Sequence, residues 1–203
     1  PGGNVSAHLA QLKTGDTAYI SKTRTRALLY LNDDASVLQR YAWIVFGVGI
    51  ADVLHTCRMM LEHNPHCRLV LVYANRTRDD LVFAEQLQQM ARDFDGRFRV
   101  VLLFSREEGL RPMMESAPED GEHTGDLVMS RAGRVSADTL RTVLHSWLPA
   151  ADDQSLALNE PNARVEVVGS KQMIRETYAA LATLGFSRRI VAPKSPLQAM
   201  FAR

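Results

Sequence analysis

Trp43-Ile-Val-Phe-Gly-Val-Gly-Ile-Ala-Asp-Val-Leu54 is the segment from which the rest of the chain can be ordered. An apolar, β-branched run ends in two glycines one residue apart, and a helix-period segment follows at once. That order predicts a buried parallel strand over 43–46, a tight turn, and a helix over 50–62 whose N-terminus faces the strand's end. Gly47 and Gly49 let the backbone bend sharply and let a ligand approach the main chain. The first amides of the helix lack intrahelical partners and carry the positive end of its dipole, which suits a pyrophosphate. A third glycine would complete the dinucleotide fingerprint, but Asp52 stands in its place.

Outward from this segment, strand and helix patterns alternate. Strands are predicted over 68–73, 98–104 and 164–168, and helices over 79–92, 136–146 and 171–184, with Gly185 as a C-terminal cap. Such alternation makes the fold class α/β, with a parallel sheet covered by helices on both faces. Ahead of it, Ser6 is placed to cap a short helix bearing Leu9 and Leu12, which Thr14-Gly-Asp16 would stop. Two further strands are expected over 17–21 and 27–31. The polar residues 32–40 read as a linker and domain boundary. Between Arg106 and Gly133 the sequence reads as a long, mobile acidic loop.

Composition narrows the function classes. The chain has 203 residues, 46% hydrophobic, and a formal net charge of +1 with both signs interspersed. No broad field invites nucleic acid or an anionic membrane. No apolar run approaches the ~20 residues of a spanning helix. Cys57 and Cys67 are too few for a disulfide framework and fit a reducing, intracellular compartment. His55, Cys57, His63, His66 and Cys67 lie close in sequence, yet their spacing does not converge four ligands tetrahedrally, so no metal is expected. Ser105, Ser130 and Ser136 lack a nucleophile-elbow context.

Five segments resemble, in order, the ferredoxin-reductase-like flavoproteins, and cytochrome-b5 reductase in particular. Gly47-Val-Gly-Ile-Ala-Asp-Val-Leu54 is similar to the Gly-Thr-Gly-Ile-Thr-Pro-Met-Leu turn of that family. Leu69-Val-Leu-Val-Tyr-Ala-Asn-Arg-Thr-Arg-Asp-Asp-Leu81 resembles its second strand and Ala-Asn-x-Thr-x-x-Asp-Ile/Leu continuation. Gly133-Arg-Val-Ser-Ala-Asp-Thr-Leu140 resembles Gly-x-Val-Thr-x-x-x-Leu, and Val168-Gly-Ser-Lys-Gln-Met-Ile174 sits where the family has Cys-Gly-Pro-Pro-x-Met. Gly2-Gly-Asn-Val-Ser6 with Leu9, Leu12, Gly15 and Asp16 is similar to the stretch that closes the flavin domain.

The resemblance implies a ferredoxin-reductase-like NAD-binding domain over 41–203, preceded by a remnant of a β-barrel flavin domain and linker over 1–40. It implies NADH and FAD as cofactors, with hydride passing from NAD(P)H to FAD and electrons going on to a haem-protein acceptor such as cytochrome b5. The implied cofactor-binding residues are Gly3, Asn4, Val5 and Ser6 for a corner of FAD. For the pyridine nucleotide they are Gly47, Val48, Gly49, Ile50, Ala51, Asn75, Arg76, Asp80, Gly169, Ser170 and Met173. No catalytic side chain is named, because the cofactors carry the chemistry. The chain opens at Pro1 without an initiator methionine, so most of the flavin barrel, and any membrane anchor, would lie upstream; these residues alone would then be inactive.

Asp80 matches a family aspartate associated with NADH preference, since a carboxylate repels a 2′-phosphate. Arg76 and Arg78 argue for phosphate. The plainer reading makes Asp79 and Asp80 first-turn acids of helix 79–92 and leaves the arginines as solvated loop charges. Departures from the family pattern also matter. Val48 and Ala51 stand where the family has threonines, Asp52 replaces a proline, Val168 replaces a cysteine, and Ser170-Lys171 replaces a proline pair. A carboxylate about 6 Å from a phosphate charge costs on the order of 1 kcal/mol in high dielectric. These departures motivate a rival of another class, a non-catalytic descendant of the fold that binds a partner.

Overall fold

A computed structural model describes residues 4–19, 39–107, 128–145 and 163–186. Helix α1 (Asn4–Gln11) comes first. Strand β1 (Gln39–Phe46) follows, then a 3-10 turn (Gly47–Gly49) running into α2 (Ile50–His63). Strand β2 (Cys67–Asn75) leads to a second 3-10 turn (Arg78–Asp80) and α3 (Ala84–Asp93). Then come β3 (Phe98–Phe104), β4 (Val128–Ala132), α4 (Ala137–His145), β5 (Ala163–Val168) and α5 (Lys171–Thr183). The five strands form one sheet in the order β4-β3-β2-β1-β5, and every pairing is parallel.

The central strands are apolar throughout because both faces of the sheet are covered. Tyr41, Trp43 and Val45 of β1, with Leu69, Leu71 and Tyr73 of β2, pack under Val53, Cys57 and Met60 of α2 and Leu87 and Met90 of α3. The alternate residues Ala42, Ile44, Val70 and Val72 pack under Leu140 and Val143 of α4 and Leu181 of α5. The strand order carries the functional consequence. From β1 the chain lays β2, β3 and β4 to one side, then returns to place β5 on the other. The crevice between the ends of β1 and β5 is therefore the switch point at which sheets of this kind take ligands.

Several elements differ from the sequence expectation. β1 begins at Gln39, so Gln39 and Arg40 of the expected linker already pair with Cys67 and Arg68; pairing, not polarity, decides there. The helix expected over 79–92 is broken. Thr77 and Asp80 form a capping box around a short 3-10 turn, Leu81 is extended, and Phe83 adopts a left-handed φ of 61° before α3 starts at Ala84. Asp79 and Asp80 thus do not belong to that helix's first turn. β4 occupies the end of the expected acidic loop, and residues 108–127 of that loop lie outside the described residues. Ser6 lies inside α1 instead of ahead of it. Residues 17–19 carry no strand; the rest of the strand expected over 17–21, and the strand over 27–31, fall outside the described residues.

The last helix ends as its sequence implies. Gly185 has φ 84°, its amide donates to Ala182 O (3.0 Å), and the Phe186 amide donates to Leu181 O (3.1 Å). That pair of bonds is a Schellman motif, sealed by the buried Phe186.

Candidate functional site

Two glycines press the ends of β1 and β5 together. A Cβ placed on Gly49 would stand 3.0 Å from Val168 Cγ1, and one on Gly169 would stand 2.9 Å from Phe46 Cδ2. Gly47 faces open space but holds φ +51°, a conformation that side chains rarely adopt. The turn 47–51 and the turn 169–170 therefore meet at the switch point as bare backbone. No side chain caps the 3-10 turn or α2, so their first-turn amides face the crevice without a side-chain acceptor. Ile50 differs: its amide donates to Gly47 O and Val48 O and its side chain is fully buried, so it shapes the turn. Val48 is 86% exposed at the tip, and Asp52 lies in the first turn of α2.

On the β5 side, Ser170 caps α5, its Oγ accepting from the Met173 amide at 3.3 Å. Both groups are thus engaged within the helix start, while the Met173 side chain stays 43% exposed at the same edge.

The end of β2 supplies polar groups. Asn75 is 8% exposed, one residue past the Phe46–Ala74 pair, and its Nδ2 has no hydrogen-bond partner. Tyr73, on the same face, is fully buried, and its Oη also lacks a partner of hydrogen-bond geometry, although the Asn75 side chain and Val82 backbone lie near it. Burial raises the phenol's pKa above its ordinary 10.0; the Asp80 charge adds to the rise, and the neighbouring Asn75 and Val82 oppose it.

Asp80 and the two arginines are engaged locally. Asp80 Oδ2 accepts from the Thr77 amide (3.3 Å) and hydroxyl (3.1 Å), and Arg76 Nε lies 3.5 Å away. Arg78 donates its amide to the Glu107 carboxylate, places its guanidinium 4.0 Å from Glu107 Oε2, and lies 5.9 Å from the Phe104 ring centre. Both arginines therefore meet carboxylates. Tyr73, Thr77, Phe83 and Glu107 escaped sequence reasoning. Thr77-Arg-Asp-Asp80 carried a capping-box signal; Glu107 lies 29 residues from Arg78 and carried none.

The implied flavin residues lie elsewhere. Asn4, Val5 and Ser6 form the first turn of α1, which packs no extensive interface against the sheet, and Gly3 falls outside the described residues. In the His/Cys tract, Cys57 and Cys67 are buried and His63 Nδ1 lies 2.9 Å from Met59 O. Among the described residues no group of three or more His, Cys, Asp or Glu converges as for a metal, and no helix is long and apolar enough to cross a membrane.

Comparison with known proteins gives the following. A family model described as the oxidoreductase NAD-binding domain matches residues 44–178. NADH-cytochrome b5 reductase 1 of Ajellomyces capsulatus is 26% identical over 194 residues, covering 93% of this chain and 52% of that protein. The flavodoxin/ferredoxin–NADP reductase of Escherichia coli is 24% identical over 177 residues, covering 87% and 61%. The flavohemoglobin of Malassezia yamatoensis, solved with bound FAD and heme, shares the fold at a TM-score of 0.58 and 17% identity, covering 94% and 40%. The chain thus spans about half the length of the first relative.

Proposed function

The chain belongs to the oxidoreductase NAD-binding domain family, and from that premise we propose that it is the pyridine-nucleotide half of a cytochrome-b5-reductase-like flavin oxidoreductase. NADH lies across the carboxyl edge of the sheet, its pyrophosphate on the uncapped amides at 47–49 and its two halves spread to either side. The end of β2, with Asn75, Arg76 and Asp80, takes the adenosine; the turn of Gly169 and Ser170, beside Val48 and Met173, takes the nicotinamide. What supports this most is the contact of two bare backbone turns at the switch in strand order, where a Cβ on either glycine would crowd the opposite strand.

In the whole protein FAD, held by a barrel of which residues 1–40 are the last part, would take hydride and release electrons one at a time to a haem-protein acceptor. This chain's own part is to hold the nicotinamide in position and keep its edge dry, so no side chain acts as acid or base. The setting would be a reducing, intracellular one. Any membrane attachment would come from residues upstream.

Calorimetric titration of the 203-residue chain with NADH tests the binding step. Saturable one-site binding, weakened by Gly49→Val, is the expected result; no binding at millimolar NADH would overturn it. One observation favours a second reading, a partner-binding module without catalysis: Val48, 86% exposed, puts an apolar side chain at the tip of the turn. A flavin absorption band in the full-length protein separates the two readings.

A further inference from the structure

We propose that Tyr73 and Asn75 are paired ligand donors, covered in the free protein by the turn over residues 77–83 and brought onto a ribose oxygen of the adenosine half when the nucleotide binds. This rests on the nucleotide reading of the edge given above. Tyr73 and Asn75 are two residues apart on one strand, so their side chains stand on the same face of the sheet. Asn75 follows the last β1–β2 pair and so comes level with Gly47, at the mouth of the switch crevice.

Both polar atoms are buried without a hydrogen-bond partner. Natural interiors rarely leave such groups unmade, and each one calls for a reason. A phenylalanine at 73 would fill the same space without the penalty, so the hydroxyl needs a partner that the free protein does not supply. Both groups donate: the amide through two N–H bonds, the phenol through its O–H. An oxygen-rich ligand matches them. The raised phenol pKa keeps that proton in place at any physiological pH.

The cover is built to move. Val82 and Asp80 sit against the phenol, and their turn is held by local bonds: Thr77 to Asp80, the Leu81 amide to Arg78 O at 3.0 Å, and Arg78 to Glu107. It joins α3 at Phe83, the one non-glycine residue with positive φ among the described residues. Strain of this kind persists where the surroundings impose it and gathers at switch regions. Phe83 O accepts the first bond of α3, from the Leu87 amide at 2.9 Å, so this is the point about which the turn pivots. Val82 and Phe83 stay partly exposed, and only Leu81 packs against the core.

The test is calorimetry with NADH and with ADP-ribose on the wild-type chain and on Tyr73→Phe, together with thermal melts and amide hydrogen exchange. The variant should melt about 2–4 °C higher and bind both ligands about tenfold more weakly, equivalent to about 1.4 kcal/mol. In the wild type, saturating NADH should speed exchange at residues 81–83. Asn75→Ser, read in the same way, should weaken binding too and serves if Tyr73→Phe does not fold. Wild-type binding with unchanged affinity in the variants, or unchanged exchange at 81–83, would overturn this proposal alone. Failure of the wild type to bind either ligand would overturn the nucleotide reading and this proposal with it.

Discussion

Gly169 and Phe46 are in contact across the switch in strand order, close enough that a Cβ on the glycine would stand 2.9 Å from Phe46 Cδ2 and 3.1 Å from Phe46 Cβ. The second distance matters more, because a ring can rotate away while a Cβ moves only with its strand. Gly169→Ala is therefore expected to push the ends of β1 and β5 apart. The cost should be about 1–3 kcal/mol, as for overpacking elsewhere. Urea denaturation would measure it. Nucleotide affinity should fall as well, because the same contact sets the width of the crevice.

Arg97 provides a contrasting case. Its Nη1 donates to Leu61 O at 3.0 Å and Asn64 O at 3.1 Å, and its guanidinium lies 5.3 Å from the Phe94 ring centre. A cation thus closes the carboxyl end of α2, where the helix dipole is negative. Arg97→Ala should destabilise the chain by about 1.5–3 kcal/mol, the range for hydrogen bonds to charged groups. Affinity for NADH should stay unchanged, since this contact lies at the end of α2 opposite the glycine turn. A stability loss equal to that of Gly169→Ala with no binding loss would separate scaffold from site.

Alkaline pH should weaken the fold through Cys57. Burial, and next the neighbouring Cys67, push its thiol well above the ordinary 9.0. The folded chain therefore holds this proton more tightly than the unfolded chain. Stability is fully present below pH 9, and it declines above that as the unfolded thiol ionises, until the folded thiol titrates too. Tyr73 adds the same sign above pH 10. Melting temperatures across pH 8 to 10 should fall for the wild type and fall less for Cys57→Ala, whatever the variant's starting stability.

Legibility in the sequence followed burial. β2 and β3 could be read from their apolar runs because both faces of the sheet are covered, and the glycine pair marked the turn because few other residues allow it. Gln39 and Arg40 were hidden: strand pairing with Cys67 and Arg68 is non-local, and their polarity pointed to a linker. β4 was hidden for a related reason, being a short edge strand whose Val128-Met-Ser-Arg-Ala132 holds only one hydrogen-bonded neighbour, β3. The apolar spacing that follows Asp80 suggested one helix, while the Thr77–Asp80 cap and the left-handed Phe83 divide it. In the site, Asn75 was visible as a polar residue closing an apolar run. Tyr73 was not, because a tyrosine within such a run passes for core until its hydroxyl proves to have no partner.

The choice between NADH and NADPH should run through Asp80, but not by charge alone. Its Oδ2 takes the Thr77 amide and hydroxyl and lies 3.5 Å from Arg76 Nε, so removing the carboxylate both loosens the turn and frees a guanidinium. The pair is exposed enough that its ion-pair energy is small, about 0–1 kcal/mol. What changes more is the field at the end of β2: a carboxylate that repels a 2′-phosphate is lost, and an arginine that can fork onto one is released. Asp80→Ser should therefore shift the NADH/NADPH affinity ratio towards NADPH, and Asp80→Ser with Arg76→Ala should shift it less. Loss of the cap should also cost about 1 kcal/mol of stability in both variants. The ratios must be compared at fixed salt, because exposed charges are screened within about 8–10 Å. Equal shifts in the two variants would exclude Arg76 from the response, and no shift in either would place the ribose away from this turn.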